Sequence, residues 1–292
     1  MKKRNTSESE KGLDFSKGLT LELLGWLSMV IALFTATLIG RQIEQSGYPY
    51  WVSAGTKGII TSFIVVTVVF WIRRRYPNQL KLTPLSRVGL LHLLSGAMLP
   101  LLLVICGFII ASQLNWIEIV EWHFSYSLFF GIILNVCFAF LYEALPEELT
   151  MRGLVYSGLR VKLPAFLAYA GQIFLFVLVP VTVNFLQQLV GMEPGVEINT
   201  DYILLLIAFG TVLQLLRSTT GSLWASIGFH LSYLEISRFM VAQNDLRLLT
   251  YSELHEGTGS LFILFTMVIL VGILIVGAFS IWLRTNGKKA KR

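Results

Sequence analysis

Long runs of apolar residues recur along the sequence and constrain the fold more than any other feature. An α-helix needs about 20 apolar residues to cross the hydrocarbon core of a bilayer, and several runs approach that length. The chain is 55% hydrophobic and only 14% charged, an apolar excess that a water-facing surface of this size could not accommodate. The sequence therefore predicts an all-α fold, a polytopic transmembrane bundle of about eight helices.

The predicted spans are separated by short polar or charged segments. We place them at Leu21–Ile39, Gly58–Ile72, Val88–Ser112, Tyr126–Leu145, Pro164–Val183, Tyr202–Leu216, Ser222–Val241 and Gly259–Leu283. The corresponding division of the chain has a polar cytoplasmic segment (1–18), a membrane domain (19–284) and a basic cytoplasmic tail (285–292).

The basic residues are distributed unevenly among the predicted loops. If the amino terminus is inside, all but four of the 23 lysines and arginines fall in cytoplasmic segments, as the positive-inside rule requires. We therefore expect both termini in the cytoplasm and the chain in a bacterial cytoplasmic membrane. Contact of these basic segments with anionic lipid accounts for the net charge of +6, so no nucleic-acid partner is expected. The four exceptions are Arg41, Lys57, Arg238 and Arg247.

Three glutamates cluster at the predicted inner end of the fourth span, where acidic side chains are costly. Glu143 and Glu147 are four residues apart and share a helix face. Glu148 and Arg152 have the acid-first i,i+4 spacing of a helical ion pair. The alternative interpretation is that these are interfacial charges that end a helix beside Pro146.

A single histidine, His230, falls inside the seventh predicted span, about 15 Å from its cytoplasmic end at 1.5 Å per residue. This places it near the middle of the membrane, whereas Glu147 is predicted at the interface. The two can approach only if the fourth helix is tilted or extended. A lone imidazole in a span also has a simpler interpretation, as a hydrogen-bonding contact to a neighbouring helix.

Two segments resemble motifs of the CPBP family, the CAAX-type and bacteriocin-processing intramembrane proteases also called Abi proteins. The string Glu147-Glu148-x-x-x-Arg152-Gly153 is similar to the first motif, and the stretch from Phe209 through Thr-Gly-Ser-Leu-Trp to His230 is similar to the region ending at the third-motif histidine. The two motifs occur in the expected order, about 80 residues apart. The resemblance covers roughly residues 125–242.

The resemblance implies a helical intramembrane endopeptidase that activates water for peptide hydrolysis. It implies that Glu147 is the general base, that Glu148 and Arg152 shape the site, and that His230 donates to the oxyanion.

Two positions depart from the family pattern. The second motif should end in histidine but reads Phe176-Val-Leu-Val-Pro180, and the third should have asparagine at Leu234. Proline cannot accept a proton and leucine cannot donate a hydrogen bond. Asn184, one turn after Pro180, is a candidate replacement donor if the helix kinks at the proline.

No cofactor is predicted from the sequence. A divalent metal would have to recruit Glu147, Glu148 and His230 alone, and the two glutamates are adjacent in sequence and point apart.

The sequence leaves three functions open. The first is an endopeptidase with an altered site, and the second is a family member with reduced or lost proteolysis that binds a membrane-embedded peptide or protein as a scaffold. The third is a transporter or channel that uses the buried acids as a proton or cation relay, although no internal repeat favours it.

Overall fold

The structure, a computed structural model, describes the backbone of residues 2–76 and 84–289 and the side chains of residues 16–76 and 84–286. Most of the predicted amino-terminal segment (1–18) and of the predicted tail (285–292) lies outside the described side chains, so their charges are not part of the structural account.

Helices dominate the described chain, and the connections between them are short. The helices are α1 (Lys2–Gln45), α2 (Tyr50–Arg75), α3 (Arg87–Gln113), α4 (Tyr126–Lys162), α5 (Ala165–Leu189), α6 (Thr200–Thr220), α7 (Leu223–Ile236) and α8, which has a π-helical part (Thr258–Leu270) and an α-helical part (Val271–Lys289). Two short strands are β1 (Ile117–Trp122) and β2 (Leu249–Glu253).

Among the described residues, seven helices are long and apolar enough to cross a membrane, which confirms an all-α, polytopic integral membrane protein. The seventh predicted span, Ser222–Val241, is the exception. Its α-helix α7 has only 14 residues and continues as a π-helical turn, Ser237–Val241. Whether this segment crosses the bilayer therefore decides whether the number of spans is odd or even.

The fourth helix is longer than predicted. We expected it to end near Leu145, but α4 runs for 37 residues. The glutamates therefore lie around the middle of a helix rather than at its end, and the expectation that the helix ends beside Pro146 is wrong.

Local geometry explains why the helix continues through Pro146. The turn before the proline is π-helical (Phe140–Ala144), with i→i+5 hydrogen bonds. Proline has no N–H for the carbonyl five residues earlier, Leu141 O. The hydroxyl of Ser62 on α2 donates to that carbonyl instead. A side-chain donor from a neighbouring helix thus satisfies the freed backbone group, as a proline inside a membrane helix requires.

The chain divides into two compact units, which are described separately. Unit 1 comprises Met1–Leu82 and Leu141–Ile207, and unit 2 comprises Thr83–Phe140 and Ala208–Arg292.

In unit 1, α1 lies against the second half of α4 at close range. A Cβ placed on Gly25 would lie 2.8 Å from Leu154 Cβ, closer than real Cβ contacts occur. Small residues allow such close approach of membrane helices. The indole Nε1 of Trp26 on α1 also donates to Leu175 O on α5 at 2.9 Å. Helix α1 therefore holds both α4 and α5.

In unit 2, α3 and α7 approach at two glycines. A Cβ on Gly96 would collide with the backbone of Ala225, and a Cβ on Gly228 would collide with the carbonyl of Leu93. The backbones of α3 and α7 are therefore in direct contact at two points, Ala225 and Gly228, just before His230 on α7.

The two strands of unit 2 form an antiparallel pair that was not predicted. Ile117 lies opposite Glu253, and a β-bulge interrupts the register between Ile119 and Glu121. The strands lie in the α3–α4 and α7–α8 connections, so these two connections lie on the same side of unit 2.

Candidate functional site

Glu148 and Arg152 form a buried ion pair on α4 in unit 1. Both side chains are fully buried, and Arg152 Nη1 lies 3.1 Å from Glu148 Oε1. The spacing is i,i+4, but the segment Glu148–Val155 is π-helical rather than α-helical. Single π turns inside α-helices are rare and concentrate at functional sites.

The guanidinium of Arg152 also lies over an aromatic ring. Its Cζ is 4.5 Å from the ring centroid of Phe176 on α5. A cation over a ring face is attracted by the ring quadrupole, and the attraction is strongest where water is excluded. Arg152 is therefore held by a carboxylate on its own helix and by an aromatic ring on the next.

The same region contains further buried polar groups. Gln172, one turn before Phe176 on α5, is fully buried, and neither atom of its amide has a hydrogen-bond partner among the described residues. Arg152 Nε has none among them either. The described protein groups thus satisfy this polar region only in part.

Glu147 is the last residue of the short α-helical stretch between the two π-helical turns of α4 and is partly exposed, unlike Glu148. The hydroxyl of Thr150 donates to Pro146 O at 2.8 Å and to Glu147 O at 3.2 Å, which ties the backbone of this turn together. Glu143 and Glu147 lie in electrostatic range of Tyr202 at the start of α6. The structure thus places two acids and a phenol in the same part of unit 1.

The second-motif position, Pro180, lies inside α5, which continues through it to Leu189. Residues 176 and 180 are one turn apart and share a helix face. Because Phe176 contacts Arg152, position 180 lies on the face of α5 turned toward the ion pair.

Asn184 forms a hydrogen bond that was not predicted. Its Nδ2 donates to Val196 O in the loop after α5, and the residue is almost completely buried. It therefore fastens that loop to the helix, and its role as a replacement donor stays a prediction.

His230 lies on α7 in unit 2 and is almost fully buried. Its ring meets Phe209 of α6 edge-on, with centroids 4.9 Å apart. The same Phe209 ring lies 4.7 Å from the ring of Tyr233, one turn after His230 on α7. The imidazole is thus oriented by aromatic contacts within unit 2.

The third-motif position, Leu234, lies one turn after His230 and has an apolar side chain. The next residue, Glu235, accepts a hydrogen bond from Asn135 Nδ2 of α4 at 2.6 Å. This acid is therefore bound to a neighbouring helix.

The structure brings Glu147, Glu148 and Arg152 together on one helix, and it places His230 in the other unit. Convergence of His230 with the glutamates stays a prediction. Within residues 16–76 and 84–286, no group of three or more His, Cys, Asp or Glu side chains is arranged to hold a metal ion. The contact between Phe176 and Arg152 was not predicted, although Phe176 begins the second-motif match and could have been assigned to the site on that ground.

A family comparison agrees with this assembly of motifs. Residues 127–233 match the family model described as "Type II CAAX prenyl endopeptidase Rce1-like". The matched segment runs from the start of α4 to just beyond His230, nearly the core proposed from the two motifs, and it confirms the resemblance to the CPBP family. No curated protein and no solved structure matches the chain.

Proposed function

From its type II CAAX endopeptidase-like segment of the CPBP family, we propose that this membrane protein binds a membrane-embedded peptide or protein segment as a scaffold, with hydrolysis lost or much reduced. In this proposal the region that corresponds to the family's active site still binds a peptide segment but no longer hydrolyses it.

The observation that carries the proposal is the position of Pro180. It lies one turn from Phe176, whose ring contacts Arg152, so it occupies the side of α5 from which a histidine could reach the acids. A proline there has no group that accepts a proton. Leu234 likewise lies one turn after His230 and offers no hydrogen-bond donor for an oxyanion. The ion pair of the first motif is kept, while two positions of the other motifs have side chains that cannot perform the family's chemistry.

Peptide cleavage by the purified protein in detergent tests the proposal. Membrane peptides are incubated with the native chain and with Glu147→Gln, and products are measured by mass spectrometry. We expect no cleavage by either protein and retention of the peptide by both. Cleavage by the native chain that Glu147→Gln abolishes would overturn the scaffold and establish the endopeptidase.

Restoring the two missing groups separates these alternatives further. In an active enzyme, Pro180→His with Leu234→Asn should raise turnover, since a base and an oxyanion donor are each typically worth about 10²-fold. In a scaffold we expect no proteolysis from this double variant. We also expect Leu234→Asn alone to lower the free energy of unfolding by about 1–3 kcal/mol, because the new amide is placed among apolar neighbours.

The endopeptidase remains the second candidate, and a specific observation favours it. The first motif is intact, with Glu148 paired to Arg152 and Glu147 left partly exposed beside them. A general base needs this access to its reacting atoms.

We also propose that both termini lie in the cytoplasm. The bias of basic residues supports this orientation. Cysteine labels at residues 8 and 288 should react only from the cytoplasmic side, and a label at residue 195 only from the opposite side. Termini on opposite faces would mean that the segment containing α7 does not cross the membrane.

A further inference from the structure

We propose that the free edge of β1 binds an extended peptide with alternating apolar and basic residues at the membrane surface.

The two strands of the pair differ in how well their outer edges are covered. All residues of β1 after Ile117 are exposed, with Val120 62% and Trp122 49% exposed. Leu248 N, just before β2, donates to Phe239 O, and the Tyr251 hydroxyl of β2 donates to Val241 O at 3.0 Å. The π-helical turn after α7 thus contacts β2 and the residue before it, whereas no strand lies beside the other edge of β1 among the described residues.

The location of β1 puts its free edge within reach of a peptide at the membrane surface. The strand begins four residues after the end of α3 at Gln113 and ends four residues before the start of α4 at Tyr126. Both helices qualify as membrane spans. The edge therefore lies at the membrane surface, where a peptide outside the bilayer can reach it.

Charge favours a basic occupant. The two connections that carry the strands, residues 114–125 and 242–257, contain five acidic residues and one arginine, a net charge of −4 with histidine neutral. All five acids are exposed: Glu118, Glu121, Asp245, Glu253 and Glu256. Lysine or arginine side chains of a bound strand would meet these carboxylates at the membrane surface.

Cavities near β1 fit the alternation of side chains. One, of about 280 Å³, is lined mainly by apolar groups, including Ile119 and Trp122 of β1 and Ile109 of α3. Another, of about 460 Å³, is lined by Glu121 and Asp245 and also by Arg247, whose guanidinium already donates to Thr250 Oγ1 and Asn244 O. Successive side chains of a strand point to opposite faces, so an added strand can turn apolar groups toward the apolar lining and basic groups toward the exposed carboxylates.

Strand addition gives such a site both affinity and selectivity. Main-chain hydrogen bonds to an exposed sheet edge provide the affinity, and pockets for alternate side chains provide the selectivity. The bulge at Ile119 and Glu121 blunts the edge against unselective pairing.

The test uses the full chain in nanodiscs of neutral lipid and a fluorescent ten-residue peptide of alternating valine and lysine. We expect saturable binding that weakens with salt. The counterpart with glutamate in place of lysine should bind at least about ten-fold more weakly, because its carboxylates face the acids around β1.

Two N-methylated forms of the lysine peptide separate strand pairing from charge attraction alone. One carries the methyl groups on the odd residues and the other on the even residues, so that each blocks the N–H groups along one edge. The form blocked on the edge that faces β1 should bind about ten-fold or more weakly, since several hydrogen bonds are lost. Equal affinities of the two forms, or of the lysine and glutamate peptides, would overturn the proposal.

A pair of charge-reversal variants locates the site. Glu118→Lys with Glu121→Lys should weaken binding of the lysine peptide, whereas the control Glu193→Lys, in an exposed loop of unit 1, should not. Equal affinity of both variants and the native chain would overturn the location. The peptide comparisons use the native chain, so they decide the pairing even if a variant folds poorly. Failure here leaves the cleavage result untouched, and cleavage would refute the scaffold without affecting peptide binding at β1.

Discussion

The two units hold their motif residues by different means. In unit 1, Arg152 is a buried cation that needs a carboxylate and an aromatic ring to be stable away from water. In unit 2, His230 lies among aromatic rings on a helix whose backbone contacts α3 directly. The comparison teaches that Arg152 in unit 1 is held by charge compensation, whereas the helix carrying His230 in unit 2 is held by close packing. The two should therefore respond to different substitutions.

The largest effect should come from Arg152→Met. It leaves Glu148 as a buried charge without its arginine, so we expect the free energy of unfolding to fall by about 3–5 kcal/mol. Denaturation in mixed micelles, followed by tryptophan fluorescence, measures the loss. The double variant with Glu148→Leu should recover most of it, because well-packed apolar residues often replace a buried pair at little cost. A double variant no more stable than the single one would show that charge compensation does not hold Arg152.

A smaller effect is expected from Gly228→Ala in unit 2. The added methyl group meets the carbonyl of Leu93, so α3 and α7 must separate, and we expect a loss of about 1–3 kcal/mol in the same denaturation assay. Gly277→Ala on α8 is the matched control, since nothing lies within 4 Å of its added Cβ. Equal effects of the two substitutions would contradict the role of close packing in unit 2.

The smallest effect, and the one most specific to the comparison, concerns two phenylalanines. Phe176→Leu should cost about 0.5–2 kcal/mol beyond lost burial, and a double-mutant cycle should couple it to Arg152→Met. Phe209→Leu in unit 2 removes the edge-on contact with His230, so the free energy of unfolding should fall by about 0.5–1.5 kcal/mol, with no coupling to Arg152→Met. Coupling of similar size in both cycles would remove the distinction between the units.

Periodicity and hydropathy predicted the helical bundle because a bilayer leaves few alternatives for an apolar chain. They did not predict that α4 continues past Pro146, because that depends on Ser62, a residue about 80 positions away in sequence. The π-helical turns have no clear sequence signal either. The strand pair was missed because β1 and β2 are short and widely separated in sequence.

The candidate site was predictable where it is local. The i,i+4 spacing indicated the pair of Glu148 and Arg152. Two contacts could not be predicted, because they depend on how α4, α5 and a loop pack and not on spacing along one helix. They are the ring of Phe176 over Arg152 and the hydrogen bond from Asn184 to Val196.

The long fourth helix also bears on how the protein is made. Insertion of an isolated helix with an arginine at its centre costs about 2.5–3.5 kcal/mol on translocon scales; Arg152 lies about two turns past the centre of α4, and the acids near the centre add to the cost. The compensating ring, Phe176, is synthesised after α4, whereas its other neighbour, α1, is synthesised first. Release of α4 alone into lipid is therefore unfavourable. The free energy of insertion favours integration of α4 together with α5, in contact with an α1 that already lies in the bilayer.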